Sequence, residues 1–243
     1  MRCGFDLADQ RILVTGAARG IGAATAEICA SLGAEMILVD LKSAAEVAER
    51  IAGQGGKAEA IEADAADRAA VERIAKSVGR VDGLVLNAAV CPFGEDWQAP
   101  GWDESFKQVV DVNVLGPIHA ARAFLPGMIQ RRHGRIVMVG SLAGRMGGLI
   151  AGPHYVASKG GLHALVKWLA RQAGPSGVIV NGIAPASVET PLMEGQPVDT
   201  SRIPLGRLAR PEEVGWPIAF LCSPAASYIC GVVLDVNGGV YMA

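Results

Sequence analysis

A tyrosine and a lysine at helical spacing could move a proton in this chain. Tyr155 and Lys159 stand four residues apart, and Ser141 lies fourteen residues before the tyrosine. On a helix, positions i and i+4 share one face and are roughly 6 Å apart, so the lysine ammonium would lie beside the phenol. That placement favours the phenolate, whose ordinary pKa is about 10, and we expect it to bring Tyr155 toward the pH range of acid or base catalysis.

A glycine-rich segment near the N-terminus could bind a dinucleotide. Gly16, Gly20 and Gly22 follow a predicted strand and open a predicted helix. Glycines at these positions allow a tight turn, let backbone N–H groups approach a pyrophosphate, and direct the helix N-terminus at it. The triplet alone is a weak signal, but its position in a β-α-β pattern makes a dinucleotide site the expectation.

An acidic residue ends the second predicted strand. Asp40 follows Gly22 by eighteen residues. A carboxylate there can accept hydrogen bonds from the adenosine ribose hydroxyls, and it would repel a 2′-phosphate. The sequence therefore predicts NAD as the cofactor, although Arg19 and Lys42 could neutralise a phosphate beside Asp40 and leave NADP open.

The ends of the next two strands would complete the cofactor site. Asp64 could accept a hydrogen bond from the adenine amino group while Ala65 closes the pocket, or it could cap the helix before Arg68. Asn87-Ala88-Ala89 brings small residues to the point where the cofactor must cross the sheet edge.

Seven apolar runs alternate with helical patterns and would position these residues. The predicted strands cover residues 11–15, 36–40, 57–61, 83–87, 135–139, 177–181 and 232–236, and the predicted helices cover 20–32, 44–53, 67–78, 102–131, 152–173 and 211–222. This alternation predicts an α/β fold of the Rossmann type, with a doubly wound, seven-stranded parallel sheet and helices on both faces. We expect a single dinucleotide-binding and catalytic domain over residues 1–243. Residues 191–204 would form a substrate flap at the carboxyl edge of the sheet, or else a solvated connection.

Composition argues against several other classes of protein. The 243 residues are 51% hydrophobic and 19% charged, which fits an α/β protein with buried central strands. A net charge of -2 gives no reason to expect nucleic acid or an anionic membrane as a partner. No segment approaches about 18 consecutive apolar residues, so no membrane span is predicted. Five cysteines without C-x-x-C spacing, and an N-terminus without a secretory pattern, predict a reduced, cytoplasmic protein.

Two residue types invite functional interpretations of their own. Cys91 follows a strand end and could be a reactive thiol. The four histidines have no metal-ligand spacing, so we expect no metal and ordinary helix or turn roles. His154 directly precedes Tyr155 and could border the substrate.

The chain resembles the short-chain dehydrogenase/reductase family over essentially its whole length. The matching pieces are Thr15 to Gly22, Asp64, Asn87-Ala88, Asn113, Ser141, Tyr155-x-x-x-Lys159 and Pro185 to Thr190. Each residue alone has an ordinary structural interpretation, but their joint occurrence in this order is specific. The resemblance implies a nicotinamide-dependent oxidoreductase that acts on a carbonyl or a secondary alcohol.

The resemblance also implies residue roles. Tyr155 would be the general acid/base, Ser141 would hold the same substrate oxygen, and Lys159 would bind the nicotinamide ribose and lower the pKa of Tyr155. Asn113 would hold a water that links Lys159 to solvent. The backbone of Val188 and the hydroxyl of Thr190 would clamp the nicotinamide carboxamide. The full set of expected cofactor-binding residues is Gly16, Arg19, Gly20, Ile21, Gly22, Asp40, Leu41, Asp64, Ala65, Asn87, Ala88, Ala89, Tyr155, Lys159, Pro185, Val188 and Thr190.

Pro117 supports the Asn113 role independently of the resemblance. It has no N–H and cannot bond the carbonyl of residue 113, so we expect a free carbonyl and a kink there. The alternative is a kink that serves packing alone. The chain departs from the family pattern at Leu86, Ala89 and Ala186, where Asn, Gly and Gly are usual, and these departures bear on the loop geometry beside the cofactor.

The expected substrate walls are mostly apolar. They comprise Leu142, Met146, Gly147, Cys91 to Phe93, Leu192 and Met193. Without an Arg or Lys cluster, strongly anionic substrates are disfavoured. We therefore predict an NAD-dependent oxidoreductase that interconverts a secondary alcohol, with polyols and sugars in the range, and its ketone.

Two other functions stay open at this point. The pattern also resembles an NADPH-dependent 3-oxoacyl-carrier-protein reductase, against which Asp40 argues. A non-catalytic dinucleotide sensor is remote, because a sensor needs none of Asn113, Ser141, Tyr155 and Lys159 as a set. The resemblance further implies a homotetramer formed through helices 102–131 and 152–173 and the C-terminal strand region, where the apolar tail 240–243 would suit a contact.

Overall fold

Seven strands and eight α-helices follow one another along residues 4–242. The computed structural model describes residues 4–242, so residues 1–3 and 243 of the predicted domain and the last residue of the predicted tail contact lie outside the described part. The strands are β1 (Arg11–Thr15), β2 (Glu35–Asp40), β3 (Lys57–Glu62), β4 (Gly83–Leu86), β5 (Gly134–Val139), β6 (Val178–Pro185) and β7 (Val233–Val236). The helices are α1 (Gly20–Ser31), α2 (Ala45–Gly53), α3 (Arg68–Val78), α4 (Trp102–Val110), α5 (Gly116–Arg131), α6 (Ala143–Met146), α7 (Pro153–Ala173) and α8 (Pro211–Cys222).

The strands form one parallel sheet in the order β3-β2-β1-β4-β5-β6-β7. The chain builds outward from β1 to β3, returns to the centre, and then builds outward on the other side from β4 to β7. The order therefore reverses between β1 and β4, which is where doubly wound sheets bind ligands at their carboxyl edge. The predicted fold class is confirmed.

Two apolar clusters cover the two faces of the sheet. One contains Ile12 and Val14 of β1 together with buried residues of α1, α2 and α8. The other contains Leu13 of the same strand with buried residues of α3, α5 and α7. Successive side chains of a strand point to opposite faces, so a strand buried on both sides reads as a continuous apolar run. This is why the central strands were visible in the sequence.

The predicted helix over 102–131 is interrupted in the structure. Residues Asp111–Leu115 form a π-helical segment between α4 and α5. Here the Gly116 N–H donates to the carbonyl of Asp111, five residues earlier. Pro117 follows at once and cannot donate to the carbonyl of Asn113, so the regular i to i+4 ladder cannot continue through this point. The distortion predicted at Pro117 is present as a wider turn.

Two further boundaries differ from the sequence predictions. The strand predicted over 177–181 extends to Pro185, because Gly182 to Pro185 pair with β7. A proline can end a strand, where its missing N–H costs no ladder bond. The short helix α6 was not predicted at all, since four residues carry no readable periodicity.

The predicted flap follows β6 and lies along the cleft described below. Residues 191–195 form turns, and Thr200–Arg202 form a 3-10 helix. The role of this segment as a flap stays a prediction. No α-helix within residues 4–242 combines the length and the apolar character that a membrane crossing requires.

Candidate active site

A cleft of about 1110 Å³ opens at the carboxyl edge of the sheet, around the point where the strand order reverses. The structure brings the predicted site residues to this cleft from seven separate stretches of chain. Those that line it are Gly16, Arg19, Gly20, Ile21, Asp40, Leu41, Asp64, Ala65, Asn87, Ala88, Ala89, Ser141, Tyr155, Lys159, Pro185, Val188 and Thr190. Gly22 and Asn113 lie behind the wall and support it.

The glycine loop between β1 and α1 is closely packed. Gly16 has a φ of 66°, in the region that side chains disfavour, and a Cβ there would lie 2.9 Å from the Ala88 Cα. A Cβ on Gly22 would lie 2.0 Å from the Gly16 carbonyl oxygen. Only glycine fits at these two positions. The first amides of a helix have no partner within the helix, and Gly20 and Ile21 at the start of α1 line the cleft.

Asn87 holds the glycine loop against the end of β4. Its Nδ2 donates to the carbonyls of Thr15, at 3.1 Å, and Gly16, at 2.9 Å. In return, the Thr15 hydroxyl accepts from the backbone N–H groups of Asn87 and Ala88 at 3.1 and 3.2 Å. The sequence indicated only that small residues lie here; in the structure the Asn87 side chain fixes the loop.

Asp40 presents a carboxylate beside the glycine loop. Its Oδ2 accepts from the Ala18 N–H and its Oδ1 from the Lys42 N–H, both at 3.0 Å. Two backbone donors therefore fix the position of a negative charge at the cleft wall. The side chains of Arg19 and Lys42 also line the cleft, and neither makes an ion pair within residues 4–242. Leu41 adds an exposed apolar side chain next to them.

The turn after β3 closes one end of the cleft. Asp64 Oδ1 accepts from the Ala66 N–H at 2.8 Å, whereas Asp67 caps α3 by accepting from the Ala69 N–H. The alternative that Asp64 caps this helix is therefore wrong, because Asp67 occupies the N-cap position. The His119 Nδ1 bonds the Ala66 carbonyl at 3.1 Å and lines the same end.

Ser141, Tyr155 and Lys159 converge at the other end of the cleft. Ser141 follows β5, and its Oγ accepts from the Ala143 N–H at 3.1 Å, at the start of α6. Tyr155 and Lys159 lie in the first two turns of α7, and the Lys159 Nζ is 5.6 Å from the centre of the Tyr155 ring. The lysine is buried, and its Nζ donates to the Val139 carbonyl at 2.9 Å.

Burial dominates the electrostatics of this pair. Burial raises the pKa of the Tyr155 phenol, the nearby Cys91 thiol adds to the rise, and a hydrogen bond with Ser141 opposes it. Burial lowers the pKa of the Lys159 ammonium to about 8, while Cys91 acts in the opposite direction. The pKa of Tyr155 is thus raised rather than brought toward neutral pH, because desolvation outweighs the hydrogen bond with Ser141. The role of Lys159 in lowering this pKa stays a prediction.

Cys91 lies in the cleft wall, close to this pair. It is 8% exposed, and burial raises the pKa of its thiol to about 12, an effect that Lys159 only partly offsets. A thiol of that pKa stays protonated near neutral pH, and the thiolate is the reactive form. The structure therefore argues against the reactive-thiol interpretation, and Cys91 acts as a wall residue.

Asn113 is buried within the π-helical segment and joins three parts of the site. Its Oδ1 accepts from the Val90 N–H at 2.9 Å, and its Nδ2 donates to the Val90 carbonyl and to Ser158 Oγ at 3.0 and 3.1 Å. Ser158 Oγ in turn donates to the Tyr155 carbonyl at 2.8 Å. Asn113 thus ties the loop after β4 to the helix of Tyr155. Its role in holding a water stays a prediction.

The segment after β6 packs against the glycine loop. The Thr190 hydroxyl donates to the Val188 carbonyl at 3.3 Å. A Cβ on Gly20 would lie 3.1 Å from the Thr190 Cγ2, so the two halves of the site touch here. Pro185 ends β6 one step before Ala186, whose N–H donates to Val236. Both predicted clamp residues, Val188 and Thr190, line the cleft.

The positions of two histidines and a leucine relative to the cleft differ from the sequence predictions. His154, for which a place beside the substrate was left open as an alternative, is fully buried and does not line the cleft. His119 and Leu115 do line the cleft but were not predicted, because a histidine or leucine on a helix carries no spacing signal. Within the described part of the chain, no three His, Cys, Asp or Glu residues cluster so as to hold a metal ion.

Comparison with known proteins places this geometry among oxidoreductases. A family model described as enoyl-(acyl carrier protein) reductase matches residues 16–241. The chain is 38% identical to the oxidoreductase UcpA of Salmonella typhimurium, in an alignment that covers 96% of this chain and 95% of the relative.

Two solved structures share the fold closely. One is a putative NAD(P)-dependent gluconate 5-dehydrogenase from Beutenbergia cavernae with bound NADP at low occupancy, at a TM-score of 0.92 and 36% identity over 98% of this chain and 99% of that one. The other is a 3-oxoacyl-[acyl-carrier protein] reductase from Brucella melitensis with bound NAD, at a TM-score of 0.92 and 34% identity over 98% of this chain and 94% of that one.

Proposed function

The chain belongs to the short-chain dehydrogenase/reductase family, and from this premise we propose that it interconverts a secondary alcohol and its ketone with NAD as the cofactor. As a member, it is an NAD(P)-dependent oxidoreductase that acts on CH–OH groups. Polyols and sugars are within the proposed substrate range. The observation that carries the proposal is the convergence of Ser141, Tyr155 and Lys159 at one end of a cleft whose other end is built by the glycine loop and Asp40.

The residues present fit a dinucleotide. The glycines at positions 16 and 22 keep side chains out of the closely packed loop, and the Asp40 carboxylate accepts a hydrogen bond from Ala18 of that loop at 3.0 Å. When bound, the nicotinamide would supply or accept the hydride. Thr190 and the backbone of Val188 would hold its carboxamide, and Lys159 would hold the adjoining ribose.

Tyr155 would move the proton. In reduction its phenol donates a proton to the substrate carbonyl oxygen, and in oxidation the phenolate removes the hydroxyl proton. Ser141 would donate a hydrogen bond to the same oxygen and so hold the reacting carbon in place. The raised pKa of Tyr155 keeps the phenol protonated, as the reduction requires, whereas the lowered pKa of Lys159 lets the pair release its first proton near pH 8.

Asp40 supports NAD over NADP. Its carboxylate is held by two backbone amides and cannot easily turn away from an incoming 2′-phosphate. A like charge brought into such contact costs several kcal/mol, of the order that decides cofactor choice. Arg19 and Lys42 would have to compensate for that repulsion for NADP to bind as well.

The walls near Ser141 and Tyr155 favour a neutral substrate. Met146, Leu149 and Leu192 are apolar side chains of the cleft that remain between 40% and 65% exposed. Arg202, a cation at this side, is paired with Asp199. A sugar acid or phosphate would need an unpaired cation in this part of the cleft.

A 3-oxoacyl-carrier-protein reductase is the second candidate. The similar structure from Brucella melitensis and the apolar walls both favour it. That reductase has NAD bound, so the NAD preference that Asp40 supports does not exclude this function, contrary to the expectation from sequence. The discriminating measurement is therefore the substrate, a 3-oxoacyl thioester against a simple ketone.

A homotetramer in the cytoplasm remains part of the proposal. Phe106 of α4 and Trp168 of α7 are apolar side chains that are 39% and 58% exposed, on the helices expected to pair. With a net charge of -2, no nucleic acid or membrane partner is proposed. Sedimentation should give a mass of four chains, and a monomer alone would contradict this part.

A substrate screen tests the proposal. NADH and NADPH absorbance would be followed at mildly alkaline pH over secondary alcohols, polyols, sugars and hydroxysteroids, and the reverse reaction over a 3-oxoacyl thioester. Turnover of a neutral alcohol with NAD that is absent from Tyr155→Phe supports the first function. A thioester turned over far better than every ketone supports the second. Silence with tight NADH binding would favour the remote alternative, a dinucleotide sensor.

A further inference from the structure

We propose that His154 is a positioning residue for Tyr155, and that Glu95 fixes the tautomer in which it acts. The proposal rests on the function given above, in which Tyr155 moves the proton. It assigns a role to a buried histidine that neither lines the cleft nor belongs to the acid/base group.

His154 bonds the backbone of the residue it precedes. Its Nδ1 lies 3.0 Å from the Tyr155 nitrogen and accepts that N–H. The first amides of a helix have no acceptor within the helix, and Tyr155 lies in the first turn of α7. A side-chain acceptor here fixes the orientation of the peptide from which the Tyr155 side chain departs.

The same bond defines the protonation of the ring. A nitrogen that accepts a hydrogen bond carries no proton, so the neutral ring has its proton on Nε2. Nε2 lies 3.3 Å from the Glu95 Oε2, and the carboxylate can accept that proton in a hydrogen bond. In the other tautomer, the Nδ1 proton would face the Tyr155 N–H and the positioning bond would be lost. Glu95 therefore selects the tautomer that holds Tyr155.

The surroundings leave the ring little freedom. His154 has no exposed surface, and its ring lies 5.3 Å from the Trp102 ring, centre to centre. A Cβ on Gly152 would lie 2.7 Å from the His154 Cε1, so the chain passes directly over the ring. The imidazole is held in one orientation from three sides.

Glu95 connects this arrangement to the substrate wall. It belongs to the loop after β4, which places Phe93 in the cleft wall, and Phe93 pairs through an isolated antiparallel bridge with Ala151. The loop is thus joined twice to the chain that enters α7, once by backbone and once through His154.

Two substitutions at one position separate this role from simple packing. In His154→Asn the side-chain Oδ1 stands where Nδ1 stood and can accept the Tyr155 N–H, whereas in His154→Gln the amide lies one methylene further out, in the place of Nε2. Both substitutions remove the ring contact with Trp102 and replace the imidazole with a smaller polar side chain, so their effects on packing are similar. We expect His154→Asn to keep kcat within about threefold of wild type, and His154→Gln to lower kcat by about tenfold to a hundredfold, since small misplacements of a reacting group have effects of this size.

The readouts are kcat and KM with saturating NAD, the NADH Kd from fluorescence, and the melting temperature of each variant. In His154→Gln we expect kcat to decrease while the NADH Kd stays within about twofold of wild type, because the substitution does not alter the cofactor end of the cleft. Glu95→Gln should behave like wild type, since its Oε1 still accepts from Nε2, and Glu95→Leu should lower kcat.

Equal decreases in kcat for His154→Asn and His154→Gln would overturn the proposal. So would decreases in kcat that are explained entirely by the decreases in melting temperature. So would a Glu95→Leu variant with wild-type kcat. Failure of the proposed function itself would give a different result. In that case Tyr155→Phe would keep wild-type turnover, and the His154 variants would not test a role in catalysis.

Discussion

The Tyr155–Lys159 pair should titrate near pH 8 in the free enzyme. Burial lowers the pKa of Lys159 from 10.5 to about 8 and raises that of Tyr155, so the first proton that the pair releases leaves near pH 8. Removal of one proton yields the state that can accept the hydroxyl proton of an alcohol.

The size of the effect follows from this value. At pH 7 only about one tenth of the enzyme is in the deprotonated state, so kcat/KM for dehydrogenation should rise about tenfold between pH 7 and a plateau above pH 9. The pH dependence of kcat/KM reports the ionisable groups of the enzyme form to which the alcohol binds. The assay is initial NADH formation over that pH range with a neutral secondary alcohol.

Lys159→Met provides the decisive comparison. Without the ammonium, the phenol remains as the titrating group, and burial holds its pKa above the ordinary value of 10.0. The inflection should therefore move above pH 10, with activity at pH 8 strongly reduced. Lys167→Met, which removes an exposed lysine from the same helix, should leave the profile unchanged. An inflection near pH 8 that persists in Lys159→Met would refute the assignment.

Three further predictions concern the cofactor site and stability. Asp40→Ala should narrow the preference for NAD over NADP by about tenfold or more, because it removes a like charge beside the 2′-phosphate; an unchanged ratio of the two kcat/KM values would show that another group sets it. Asn87→Ala removes both bonds to the glycine loop and should raise the NADH Kd about thirtyfold, measured by fluorescence titration, because two hydrogen bonds at about 1 kcal/mol each amount to about 2 kcal/mol. Burial lowers the pKa of His163 from 6.5 to about 4. Between these pH values His163 is protonated in the unfolded chain but not in the folded one, so the free energy of unfolding should decrease as pH drops from 6.5 to 4. The loss should be no more than about 3 kcal/mol, less where water reaches the ring, and urea unfolding of His163→Gln should show a flatter pH dependence.

The sequence predicted the sheet well, and the reason lies in how the strands are buried. Strands such as β1 and β5 are covered on both faces, so they appear as short apolar runs between glycine-rich turns, and the seven runs lie within a few residues of the observed strands. The sequence also predicted which residues come together at the cleft, while their roles in cofactor binding and catalysis stay predictions. Parallel strands bring their carboxyl ends to one edge, which places distant residues together.

What the sequence could not predict depends on contacts between distant residues. The π-helical segment arises where Asn113 bonds both Val90 and Ser158, neither of which is near it in the chain. The direction of the Tyr155 pKa shift depends on burial, which a spacing rule does not contain. His154 was considered for the substrate side because it adjoins Tyr155, but helix geometry turns its ring into the interior.

Loss of turnover in Tyr155→Phe, with cofactor binding retained, is the most direct test of the central claim. The substitution removes only the phenolic oxygen, and Tyr228→Phe, at a fully exposed tyrosine, serves as the matched control. We predict that NADH formation from the best alcohol falls by about a hundredfold or more in Tyr155→Phe, while the NADH Kd changes by less than about threefold and Tyr228→Phe equals wild type. A Tyr155→Phe variant that retains wild-type turnover would contradict the assignment of Tyr155 as the acid/base and, with it, the proposed mechanism.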